Sequence, residues 1–241
     1  MKYFFLFIVT VFAGRLLPAQ ELTGKELLIK AINYHDPDHN WTTFNGELFI
    51  TMETPNKPSR QSKIIINLPL EYFYIQAKRD TVTTEYTLEK SECTVKLNGS
   101  EDISEKSIKT YNLNCDRANM YKNYYTYLYG LPMKLNDEGT IVHEGVERKT
   151  FKGKEYLVLR ISYEDTIGSD IWCFYFDSNT YAMEIYQFFK TDDKGTLKPN
   201  TGEYILLTET ETIKGIKMPK NRAWYFNRDD EYLGTDVLND Q

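Results

Sequence analysis

The sequence predicts a mainly β (α+β) protein: a large curved antiparallel sheet, or open half-barrel, of about 10–11 strands with helices packed in its concave face. Three observations carry this. Short alternating runs rich in β-branched and aromatic residues, separated by Pro, Asn, Asp and Gly, recur along most of the chain. The stretch "MYKNYYTYLYGLP", Met120 to Pro132, reads as a helix with five tyrosines in nine residues. Its apolar residues spread over roughly 200° of the circumference, so it is enclosed on more than one side. In "IWCFYF", Ile171, Cys173 and Tyr175 alternate with Trp172, Phe174 and Phe176, so both faces of that strand are apolar and covered.

The chain opens on a secretory signal peptide over residues 1–19. It has one early lysine, an apolar run from Tyr3 to Ala13 and a small residue, Ala19, at the expected cut. The run is shorter than the ~20 residues of a membrane span, and no cysteine near the cut offers a lipid anchor. The expected location is therefore periplasmic, or outer-membrane-associated on the periplasmic side, with no stable transmembrane anchor. Residues 20–241 are long enough for one domain.

After the leader, "LTGKELLIKAINYHDP" reads as a helix. Thr23 and Glu26 have capping-box spacing, Leu27, Leu28, Ala31 and Ile32 make one apolar face, and Pro37 stops it. The runs "GELFITMET", "KIIINLP", "EYFYIQAK", "TVTTEYTLE" and "ECTVKLNG" follow as strands. Cys93 and Cys115 flank a polar loop, and export to an oxidising compartment favours their pairing, with Cys173 a buried free thiol; three reduced thiols are the alternative. The tyrosine helix starts near Asp116 and ends at Gly130 and Pro132. Strands then resume in "KEYLVLRISYE", "DIWCFYFD", "YAMEIYQFF", "GEYILLTETETI", "NRAWYFN" and "EYLGTDV". "ILLTETETI" turns from apolar to Thr/Glu-rich, as a strand leaving the core for solvent would.

Without the leader the chain has 27 basic and 35 acidic side chains, a formal charge of −8. With no basic patch in the sequence, nucleic acid is a poor partner. G-x-S-x-G and H-E-x-x-H are both missing, so neither a serine hydrolase nor a zincin is indicated. His35, Asp36, Asp38 and His39 are residue types that bind metals, but a helix end followed by Asp-Pro does not converge the two imidazoles. His143, beside Glu144, reads as an exposed loop residue. No catalytic residue, metal or cofactor is expected.

Tyrosine in place of phenylalanine requires a partner for each buried hydroxyl and so favours a partly wet wall. The rings either fill the hollow of the sheet or line a cavity for an amphiphile. The residues assigned to that wall are Tyr121, Tyr124, Tyr125 and Leu128 on the helix, and Trp172, Phe174, Tyr181, Met183 and Tyr186 on the strands.

The phrases "YHDP" followed by Trp41, "NLPLEYFYIQAKRD", "CDRANMYKNYYTYLYGLPMKL", "ERKTFKGKEYLVL", "FYFDSNTYAMEIYQFFK" and "IKGIKMPKNRAWYFN" resemble a family of secreted Gram-negative bacterial proteins of unknown function. "FDSNTYAMEIY" and "KGIKMP" are also similar to features of the LolA/LolB-like periplasmic lipoprotein-carrier fold, an open barrel capped by helices. That resemblance implies non-catalytic binding of a lipid or a lipidated protein in the concave face. The alternatives are a protein- or peptide-binding module, such as an envelope-stress sensor of similar shape, and an unrecognised enzyme.

Overall fold

The computed structural model describes residues 22–239; the leader and its cut after Ala19 lie outside them. Helix α1 (Gly24–His35) begins with the expected capping box between Thr23 and Glu26, and Leu27, Leu28, Ala31 and Ile32 are all buried. Strands β1 (Asn45–Thr54), β2 (Lys57–Asn67), β3 (Tyr72–Arg79), β4 (Val82–Glu89) and β5 (Glu92–Leu97) form one meander. Helices α2 (Glu105–Tyr111) and α3 (Cys115–Gly130) follow. A second meander consists of β6 (Thr140–Phe151), β7 (Lys154–Tyr163), β8 (Ile171–Asp177), β9 (Met183–Phe189), β10 (Glu203–Ile213), β11 (Ile216–Phe226) and β12 (Tyr232–Asn239).

The two meanders join where β1 pairs with β12, giving one open antiparallel sheet in the order β5-β4-β3-β2-β1-β12-β11-β10-β9-β8-β7-β6. This order explains the place of α3. The chain leaves the meanders at one edge strand, β5, and re-enters at the other, β6, so the link between them must cross the sheet. α3 is that crossing.

The sheet is bent around it. Tyr121 of α3 meets Tyr86 on β4 with ring centroids 5.5 Å apart, and Tyr127, less than two turns on, meets Trp172 on β8 at 6.2 Å. In a flat sheet β4 and β8 would be separated by eight strand spacings, roughly 38 Å. A helix about 10–12 Å wide spans that only if the strands curl toward one another. The concave face carries the main core, with Leu48, Ile50, Ile64, Ile75, Leu159, Phe174, Met218 and Leu238 among its fully buried members. The both-faced pattern of β8 is also met. Cys173 and Tyr175 point to the convex side, where they form a second cluster with Tyr156, Val158, Ile185 and Tyr204.

Cys93 and Cys115 are disulfide-bonded, with Cα atoms 6.0 Å apart, which ties the first residue of α3 to edge strand β5; Cys173 is a buried free thiol. β10 is buried at its start and exposed beyond Leu207, as its sequence indicates.

Three expectations change. The described residues contain twelve strands, because "TIVHEGVERKTF" is strand β6 and His143 is a strand residue, not a loop residue. As an edge strand with little buried side chain and a register shift between Val142 and Val146, β6 lacks the alternation that would reveal it. The polar loop between the paired cysteines contains α2, capped by Ser104 but burying no residue, so no apolar face marks it. Tyr181 lies in the turn before β9, in the left-handed region at φ 65°, and not on a strand.

Candidate functional site

α3 presents two kinds of tyrosine. Tyr121, Tyr125 and Tyr129, spaced by four, form a ladder with centroids 6.1 and 6.2 Å apart on the buried side, and Leu128 is buried with them. Tyr124 is different: it is 39% exposed, its ring meets Tyr125 edge-on at 5.1 Å, and desolvation raises its hydroxyl well above the usual value of 10. It lies four residues after Met120, which is 42% exposed, on the more open side of the helix. Tyr127 is likewise raised by burial, and its hydroxyl is hydrogen-bonded to that of Tyr163 on β7.

The facing wall is aromatic. Trp172 stacks with Phe188 at 4.9 Å and with Phe174 at 6.2 Å, and Tyr186 lies 6.3 Å from both Trp172 and Phe174. Met183 and Tyr186 differ in strand parity but share the concave cluster, because the register slips between Tyr175 and Phe176. Of the residues assigned to the wall, Tyr121, Tyr124, Tyr125, Leu128, Trp172, Phe174 and Tyr186 gather around α3. Tyr181 and Met183 stand at α1 instead: Lys30 lies over the Tyr181 ring at 5.0 Å, and Met183 N–H donates to His35.

Beneath the tyrosines runs a polar row that the sequence reading missed. Paired positions carry Arg60 on β2, Met52 on β1, Asp236 on β12, Arg222 on β11 and Leu207 on β10 across the middle of the sheet. Arg222, 1% exposed, donates to the carbonyls of Pro219 at 3.1 Å and Leu128 at 3.2 Å, and its guanidinium covers the Tyr129 ring at 3.8 Å. It thereby satisfies an orphan carbonyl at the negative end of α3 and docks that helix on the sheet. Arg60 donates to the Tyr125 hydroxyl at 2.5 Å.

Asp236 lies between these two arginines in sheet order, but burial outweighs their attraction and pushes its carboxyl up to about 6. Asp236 Oδ1, Arg60 Nε, Arg222 Nε and the hydroxyls of Tyr129 and Tyr186 are buried without an aligned hydrogen-bond partner. Burying such groups costs free energy. Arg222 and Asp236 were legible in one respect: they fall at the inward phase of their strands, with Met218 and Leu238.

The histidines take structural roles or remain apart. His35, 3% exposed, accepts from Met183 N–H at Nε2 (2.9 Å), so its Nδ1–H donates to the Lys217 carbonyl (2.7 Å), and burial lowers it to about 4. Asp36 accepts from the N–H groups of Asn40 and Trp41. Among the described residues no group of three or more His, Cys, Asp or Glu could hold a metal ion. His143 Nε2 meets Ser162 Oγ at 3.0 Å in a surface cleft of about 600 Å³, but among the described residues no carboxylate bonds its other nitrogen.

Residues 1–241 match the family of unknown function DUF6503. No curated protein matches the chain. Among solved structures, it is similar to a LolA superfamily protein from Nitrosomonas europaea, at 12% identity over 91% of this chain and 93% of that one, with a TM-score of 0.48. It is also similar to a DUF1329 family protein from Desulfovibrio piger, at 11% identity over 90% of each chain, with a TM-score of 0.46.

Proposed function

The chain belongs to the DUF6503 family of unknown function, and from its geometry we propose that it is a non-catalytic binding protein that takes the apolar part of a lipid or acylated partner into the concave face of its sheet. The observation that carries this reading is Tyr124, an aromatic ring on the central helix that is 39% exposed while its hydroxyl is desolvated, and we take it to mark the mouth of a cleft between the helix and the aromatic strands. The neighbouring tyrosines and Trp172 supply aromatic surface against which an acyl chain is removed from water, at about 0.8 kcal/mol per buried methylene.

We place this activity outside the cytoplasm. The disulfide between Cys93 and Cys115 belongs to an oxidising compartment, and among the described residues no helix is long and apolar enough to cross a membrane. The test is calorimetric titration with monododecanoylglycerol, a neutral single-chain amphiphile, below its aggregation concentration. Saturable one-to-one binding is expected in the wild type. It should be lost in Tyr124→Trp, where the larger ring occupies the cleft, with the melting temperature unchanged. No binding to the wild type, or equal binding to both proteins, would overturn the reading.

A further inference from the structure

On the N-terminal side of the same helix, a groove of about 440 Å³ opens between α3 and strands β2 to β4. Three arginines line it: Arg60 from β2, Arg79 from β3 and Arg117 from α3, with Tyr86 and Tyr121 between them. In a chain of net charge −6 this convergence runs against composition. It also corrects the expectation that the protein has no basic patch, because residues far apart in sequence meet only when the sheet curls around α3.

The Asp236 carboxyl offsets part of the Arg60 charge, but no ion pair among the described residues engages Arg79 or Arg117. Among the described residues none of the three forms an ion pair, although Asp80 is also on the lining. Extending the β2–β3 register by one residue beyond Gln61 and Lys78 sets Arg60 opposite Arg79. Like charges in that position repel. Their local contacts use only part of their donor capacity. Arg60 spends one N–H on the Tyr125 hydroxyl, Arg117 meets the Tyr121 hydroxyl at 3.1 Å and covers its ring at 4.6 Å, and Arg79 Nε, like Arg60 Nε, is buried without a partner. Guanidinium forks held side by side with free N–H groups match the oxygens of a carboxylate or phosphate.

We propose that this groove binds the anionic oxygen group, carboxylate or phosphate, of an amphiphile whose apolar part lies in the hollow. The inference rests on the amphiphile-binding reading above and adds the chemical class of the ligand. Arg60 joins the two regions, since it lines the groove and also hydrogen-bonds Tyr125 in the ladder.

The test compares dodecanoate and dodecyl phosphate with monododecanoylglycerol, and adds inorganic phosphate alone, on the full oxidised protein. The variants are Arg79→Gln, whose side chain has no partner to lose, and Arg117→Gln, with melting temperature as the control for folding. The anionic amphiphiles should bind at least about tenfold more tightly than the neutral one, and each variant should remove about tenfold from them alone. Raising the salt should weaken them selectively. Equal affinity for charged and neutral amphiphiles, or an equal loss for both in the variants, overturns the headgroup site and leaves amphiphile binding standing. Binding of inorganic phosphate that Arg79→Gln weakens, without binding of any amphiphile, upholds the anion site and removes the amphiphile reading.

Discussion

Replacing Tyr125 and Tyr124 by alanine, one at a time, separates a filled hollow from an open one. Tyr125 is fully buried, lies between Tyr121 and Tyr129, meets Tyr124 edge-on at 5.1 Å and accepts a hydrogen bond from Arg60. Its truncation removes a large core aromatic, worth about 3–5 kcal/mol, and deprives the Arg60 guanidinium of an acceptor, so a loss near the top of that range is expected. Tyr124 is 39% exposed, so truncation returns only part of its surface to water and opens no new void. That loss should be about 1.5 kcal/mol. Urea unfolding with the disulfide intact measures both, as a displacement of the midpoint at constant slope. Losses within about 0.5 kcal/mol of each other would mean that the Tyr124 ring is packed as tightly as its neighbour, and the cleft would not exist.

The other predictions concern the cysteines, the buried ionisable groups and metal ions. Thiol titration of denatured, unreduced protein from its natural compartment should find Cys173 alone, and reducing the Cys93–Cys115 bridge, 22 residues apart, should cost about 3 kcal/mol; three free thiols would refute the pairing. His35 is lowered from 6.5 to about 4, so its contribution is complete above pH 6.5 and disappears as pH falls toward 4. Asp236 is raised from 3.8 to about 6, so its contribution is complete below pH 3.8 and disappears as pH rises through 6. Each shift corresponds to about 3 kcal/mol, and the two oppose each other. His35→Gln should therefore gain stability between pH 6 and 4 while Asp236→Asn loses it; parallel pH profiles would contradict the assignment. Chelator or added zinc should leave the melting temperature unchanged, whereas a bound ion at a hundredfold excess over its Kd would add about 2.7 kcal/mol.

What was legible in the sequence follows from how far each signal depends on chain neighbours. The capping box of α1, the two-faced apolar pattern of β8 and the turn of β10 toward solvent are local, and the structure has them where the sequence puts them. Edge strand β6 and the exposed helix α2 bury too little to leave a periodic signal. Helical projection gave the breadth of the apolar arc on α3, but it could not distinguish the buried Tyr125 from the accessible Tyr124, because the difference depends on which side of the helix the curled sheet covers. The Arg60–Asp236–Arg222 row and the arginine groove depend on strand register and on the curl of the sheet, neither of which one sequence specifies.

Native mass spectrometry of the protein purified without detergent from the compartment it occupies tests the central claim most directly. The account predicts a second species heavier than the apo chain by the mass of one amphiphile, carrying a carboxylate or phosphate on fragmentation and missing from Tyr124→Trp purified in the same way. A single apo mass for the wild type, with no uptake of dodecanoate or monododecanoylglycerol when these are added, would contradict it.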